Sequence, residues 1–172
     1  MHNELDAWRY LGSSLDSRAI YLQELDPPTW IVMSDASGTD MGGVCRDPEG
    51  QYFILRSPFY TTTQAQLVYS FNSKGDVTIN DLDLGAILMQ LLLFAPRMAQ
   101  IRTYVNNTAE QGWANWVSVS TASSVGPILY ELALATRGQH IHASIWHVPG
   151  EENKMADTAS WLTPLPDRIF LS

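Results

Sequence analysis

His147-Val148-Pro149-Gly150-Glu151-Glu152-Asn153-Lys154-Met155-Ala156-Asp157 is the most informative segment of this chain. Its apolar approach, Ile141 to Val148, reads as a strand, and Pro149-Gly150 breaks that strand before a helix that carries Asp157. Far upstream, Ser34-Asp35-Ala36-Ser37-Gly38 ends another apolar run, Trp30 to Ser34, in an aspartate at a turn. Both segments put an acidic residue at the edge of a regular element. Together they point to a carboxylate metal site assembled by the fold.

The intervening elements follow from period and punctuation. Strands are expected at Trp30 to Ser34, Gly42 to Arg46 and Tyr52 to Ser57, joined by the turns Ala36-Ser37-Gly38 and Asp47-Pro48-Glu49-Gly50 into an antiparallel meander. Residues 58–76 are polar and aromatic, with Asn72-Ser73-Lys74-Gly75-Asp76 reading as a loop. A helix is expected from Asn80, with Asn80 as N-cap, Asp81 and Asp83 in the first turn and Pro96 closing the far end. Ile101 to Val105 alternates like a strand. Helices are expected at Thr108 to Val117 and Val125 to Arg137, with the Ser/Thr-rich stretch Ser118 to Ser124 between them, and a last helix at Glu152 to Leu162. This order gives an α/β fold on a mixed five-stranded sheet flanked by helices. Leu5, Trp8, Leu11 and Leu15 recur at helical steps, so residues 1–28 read as an N-terminal helical segment ended by Pro27-Pro28. Residues 29–163 form the domain, and 164–172 a tail.

Four positions stand at element ends: Asp35 after the first strand, Asp83 in the first turn of a helix, Asn106 after the fourth strand, and Asp157 in the last helix. With the first and fourth strands as parallel neighbours, their C-terminal ends would bring Asp35 and Asn106 together. Each residue alone has an ordinary reading. Asp35 is turn chemistry, Asp83 a capping acid, Asn106-Asn107 a turn that tolerates left-handed backbone, and Asp157 a solvated helix charge. Their occurrence in order, each on the expected element, is what favours a site.

The same residues resemble the ribonuclease H domain of retroelement reverse transcriptases, from about Asp35 to Leu162. The resemblance rests on Ser34-Asp35-Ala36-Ser37, Asn80-Asp81-Leu82-Asp83-Leu84, Val105-Asn106-Asn107-Thr108-Ala109, and Val148-Pro149-Gly150-Glu151-Glu152-Asn153-Lys154-Met155-Ala156-Asp157-Thr158-Ala159-Ser160-Trp161. The last motif is the specific one, the first moderately so. Trp113 and Arg137 also fall where such sequences often carry them. The resemblance implies a ribonuclease H-like fold and Mg²⁺-dependent endonucleolytic cleavage of RNA in RNA/DNA hybrids. In that scheme Asp35 bridges two Mg²⁺ ions, Asp83 and Asn106 flank one, and Asp157 holds the other, with Mn²⁺ as an alternative. Two such ions about 3.5–4 Å apart serve in-line phosphodiester hydrolysis.

Two of the four acidic positions depart from the family pattern. Asp83 stands where the family has Glu, which retracts the carboxylate by about 1.5 Å; misplacements of that size cost roughly a hundredfold in rate. Asn106 stands where the family has Asp, which removes one charge from the cluster that would hold the cations. Trp161 replaces the usual Arg after Ser160. These departures imply weakened metal occupancy and an activity attenuated or lost. His147 belongs to the strand, not to a mobile proton-shuttling loop.

Charge and composition bear on partners. The chain has 172 residues, 45% hydrophobic and 16% charged, with a net charge of −8. These values describe a globular domain with a sizeable core. No Lys or Arg occurs from Thr103 through Thr136. Nucleic-acid grip normally comes from basic groups on phosphates, so weak hybrid binding is expected, with affinity supplied by a protein partner or a fused polymerase domain. The single cysteine, Cys45, excludes an internal disulfide and reads as a buried thiol; no signal peptide or membrane span is apparent, which favours an intracellular setting. The competing function is a non-catalytic interaction module on the same fold. A third reading, another nuclease or an integrase, is disfavoured by the Pro-Gly-x-x-Asn-x-x-Ala-Asp motif.

Overall fold

A computed structural model describes residues 30–96, 99–116 and 125–161. The expected N-terminal helix (Leu5, Trp8, Leu11, Leu15), the Ser118 to Ser124 connection, Leu162 and the C-terminal tail lie outside the described residues. Among the rest, the apolar runs build strands β1 (Trp30–Ala36), β2 (Asp40–Arg46), β3 (Tyr52–Pro58), β4 (Gln100–Val105) and β5 (His142–His147). They form one sheet in the order β3-β2-β1-β4-β5. β1 pairs antiparallel with β2 and parallel with β4; β2 pairs antiparallel with β3, and β4 parallel with β5. The sheet is therefore mixed and five-stranded, as the sequence pattern requires.

Helices α1 (Thr61–Ala65), α2 (Ile79–Phe94), α3 (Thr108–Trp116), α4 (Val125–Gly138) and α5 (Lys154–Ser160) complete the described elements, with a 3₁₀ turn at Gly150–Glu152. One sheet face carries Val32, Cys45, Ile101, Val105 and Ile145, which pack with Leu84, Ile87 and Leu91 of α2 and Leu129 and Leu132 of α4. At about 25 cal/mol per Å² of apolar surface removed from water, this cluster is the main stabilising term. Cys45 is buried within it, and burial together with the nearby Asp47 charge pushes its thiol up to about 12.

Two glycines let helices approach the sheet closely. A Cβ at Gly42 would stand 2.1 Å from the Ser160 backbone nitrogen, so only glycine admits the end of α5 against β2. A Cβ at Gly43 would stand 1.6 Å from Gln90 Nε2. Gln90, fully buried in α2, uses that space to donate a 3.0 Å hydrogen bond to the Met33 carbonyl of β1. The two helices thus meet β2 through adjacent glycines, at the end of the sheet where β1 finishes.

Several boundaries differ from the sequence reading. The N-cap of α2 is Thr78, not Asn80. Thr78 Oγ1 accepts from the Asp81 N–H while Asp81 accepts from the Thr78 N–H, a reciprocal capping box that outcompetes a lone Asn. Asp83 accordingly lies beyond the first turn, whose acidic residue is Asp81. The polar and aromatic stretch 58–76 holds the short helix α1, ahead of the expected loop Asn72 to Asp76. The last helix begins at Lys154, because Gly150–Glu152 is spent on the 3₁₀ turn.

Candidate metal and nucleic-acid site

The parallel pairing of β1 and β4 fixes the heart of the site. Met33 is opposite Tyr104, so Asp35 and Asn106, each two residues further on, emerge at the same level from neighbouring strand ends. Asp35 is opposite Gly42 on the other side. That is the position where α5 comes closest, and α5 brings Asp157.

Asp83 reaches the same place from α2. Its Oδ1 accepts the Ala36 N–H at 3.0 Å, and its Oδ2 accepts from Asn107 Nδ2 at 2.9 Å. Asn107 Nδ2 also donates to Asn80 Oδ1 at 2.7 Å, and Asn107 Oδ1 accepts the Ala109 N–H at the start of α3. Asn107 thus caps one helix and ties it to another. Asp83 is only 4% exposed. Burial pushes its carboxyl up to about 6; the Asn107 amide opposes this, the Asp35 charge adds to it, and the Ala36 N–H opposes it.

Asp35 is held from the opposite side. Ser160 Oγ lies 2.8 Å from Asp35 Oδ2 and 2.8 Å from the Asp157 carbonyl, and Ser160 is itself fully buried. Ser37 Oγ donates to the Ser160 carbonyl at 2.7 Å, and Asn153 Nδ2 donates to the Ser34 carbonyl at 2.9 Å. These bonds lash both ends of α5 to β1 and its turn. Burial raises the Asp35 carboxyl; the Ser160 hydroxyl lowers it, the Asp157 charge raises it, and the Asn106 side chain and Ala36 N–H lower it. Asp157 is exposed, and its Oδ1 accepts from Trp161 Nε1 at 3.2 Å.

Asp35, Asp83, Asn106 and Asp157 line one cleft of about 470 Å³, with Asn107 and Trp161 also on its walls. The structure therefore brings together all four residues singled out from the sequence. It does not arrange them as a closed cluster. Among the described residues, no three His, Cys, Asp or Glu side chains stand close enough together to hold an ion. His147 ends β5, in the strand. The sequence reading missed Asn107 as an Asp83 partner and Ser160 as an Asp35 partner. An Asn just before a helix is a capping signal that could have found the first; nothing local announces the second.

No known family model matches the sequence, and no curated sequence matches it. Solved structures do match, and they define the fold as ribonuclease H-like. Ribonuclease H1 from the halophilic archaeon Halobacterium salinarum NRC-1 superposes with a TM-score of 0.56 and 15% identity, covering 76% of this chain and 92% of that one. LC11-RNase H1 in complex with an RNA/DNA hybrid gives the same TM-score, identity and coverage. The foamy viral protease-reverse transcriptase in complex with an RNA/DNA hybrid gives a TM-score of 0.53 and 13% identity, covering 86% of this chain and 22% of that much longer one.

Proposed function

We propose that this chain is a ribonuclease H-type domain of retroelement descent, directed at RNA/DNA hybrids, whose hydrolytic site is attenuated. One observation carries the reading. Asp35, Asp83, Asn106 and Asp157 share a single cleft at the carboxyl ends of β1 and β4, in the chain order and on the elements that the resemblance requires.

The residues fit one divalent ion and not two. Mg²⁺ takes one or two carboxylates and completes its octahedron with waters and substrate oxygens. Asp35 and Asp157, with the Asn106 side-chain oxygen, would supply that set; burial, and after it the Asp157 charge, raises the Asp35 carboxyl. Asp83 is the poor fit. Both its oxygens already accept protein hydrogen bonds, and its short side chain is nearly inaccessible. An ion held by Asp35, Asp157 and Asn106 would act as a Lewis acid toward a phosphodiester oxygen. The chain's own residues contribute in other ways: Ser160 fixes the Asp35 carboxylate, Asn107 fixes Asp83, and Asn153 keeps α5, and with it Asp157, in register with β1.

The acidic balance supports a second reading, a non-catalytic interaction module on the same fold, since no basic residue lies from Thr103 through Thr136. Cleavage of a labelled RNA/DNA hybrid in Mg²⁺ and in Mn²⁺ separates the two. The first reading expects slow cutting that rises when Asn106→Asp and Asp83→Glu are combined and vanishes when Asp35→Asn is added. The gains should be non-additive, because both changes act on one cluster. A double variant that cuts nothing favours the interaction module. An unaltered chain that cuts as fast as an intact ribonuclease H overturns the attenuation.

A further inference from the structure

We propose that Trp161 acts as a built-in competitor for the cation at the mouth of the cleft, its indole N–H holding the carboxylate oxygen of Asp157 that a metal ion would take. The inference rests on the one-ion reading above and goes beyond it, because it assigns the weakness of the site to a residue outside the four acidic positions.

Trp161 follows the last residue of α5 and serves as its C-cap. The helix places its ring four residues beyond Asp157, where i and i+4 side chains meet. Nε1 donates to Asp157 Oδ1 at 3.2 Å, and both side chains line the cleft. The ring is nonetheless 66% exposed. An indole left this open to water gains little from burial, so the contact rests on its hydrogen bond and not on core packing. Asp157 is the one exposed carboxylate of the four site positions, so a cation arriving from solvent meets it first. The Trp161 N–H takes one lone-pair direction of Asp157 Oδ1, so a cation approaching along that direction must displace it. A neutral donor in this position neither repels the ion nor replaces its charge; it raises the threshold for binding.

The test compares Mn²⁺ binding by calorimetry to the unaltered chain, Trp161→Phe and Trp161→Ala, with Asp157→Asn as the reference for binding at this cleft. Trp161→Phe keeps a ring and removes the donor. A hydrogen bond of this kind contributes a net amount that corresponds to roughly threefold to tenfold in affinity, so Trp161→Phe should bind Mn²⁺ tighter by that factor. In parallel, the Trp161 indole N–H resonance, assigned by its loss in Trp161→Phe, should shift as Mg²⁺ is added to the unaltered chain. Unchanged Mn²⁺ affinity in Trp161→Phe overturns the proposal whatever Trp161→Ala does, and so does an indole resonance that ignores Mg²⁺. If neither the unaltered chain nor Trp161→Phe shows binding that Asp157→Asn abolishes, the one-ion reading falls together with the proposal. Asp157-dependent binding of equal strength in both sinks the proposal alone.

Discussion

Replacing Asp83 with Asn should make the protein more stable at neutral pH and less stable in acid. Asp83 is 4% exposed, and burial raises its carboxyl from 3.8 to about 6. The folded state therefore holds a proton that the unfolded chain has already lost between those values. A group whose folded pKa is raised favours folding fully below the unfolded pKa, and that contribution is lost as pH rises through the folded one. A shift of about two units corresponds to about 3 kcal/mol lost by about pH 7.5. Asp83→Asn removes this cost, but its amide would face the Asn107 amide, donor to donor, where a 2.9 Å hydrogen bond now exists. Losing that bond costs about 1–2 kcal/mol. The variant should be more stable than the parent by about 1–2 kcal/mol near pH 7.5, and less stable near pH 4, where both forms are neutral and only the lost bond counts. Urea unfolding at both pH values measures this, with unchanged m as the check that only stability moved. Asp35, raised in the same direction, gives the parent the same sign of pH dependence. If Asp83→Asn is destabilised near pH 7.5, or if parent stability is flat between about pH 4 and 7, the buried charge is not the cost that its surroundings imply.

Gly42→Ala should destabilise by about 3 kcal/mol or more, since its Cβ would meet the α5 backbone at 2.1 Å and backbone cannot step aside. Gly85→Ala is the matched control: nothing lies within 4 Å of its added Cβ, so it should stabilise α2 by about 0.5–1 kcal/mol in the same thermal melts. Asn153→Ala leaves the Ser34 carbonyl without its amide donor and should cost about 1–3 kcal/mol by urea unfolding; a neutral result would deny that this bond anchors α5. Hybrid binding by the chain alone, followed by fluorescence titration, should be weak and fall steeply with salt, and submicromolar affinity at moderate salt would refute the electrostatic argument.

Much of the fold was legible because its signals are local. The apolar runs at Trp30, Gly42, Tyr52, Ile101 and Ile141, and the breaks at Pro48, Pro96 and Pro149, mark the five strands and most of the helices to within two or three residues. The α2 cap differs from the sequence expectation for a reason equally local: an isolated Asn is a weaker signal than a Thr with an acid three residues later, the pair formed by Thr78 and Asp81. The sequence alone also named Asp35, Asp83, Asn106 and Asp157 as one set, because each closes or opens an element in a recurrent order.

How those four side chains are held is settled by packing. A carboxylate's neighbours come from segments far apart in the chain, and no periodicity records them. Asp83 is satisfied by Ala36 and Asn107, Asp35 by Ser160, and Asp157 by Trp161. The need for glycine at 42 and 43 likewise appears only once α5 and Gln90 are packed against β2. Sequence specifies which residues arrive at the end of the sheet, through turn chemistry and period. Their burial, and hence their charge, depends on the packing of helices across that end, which is set by contacts between segments that are distant in the chain.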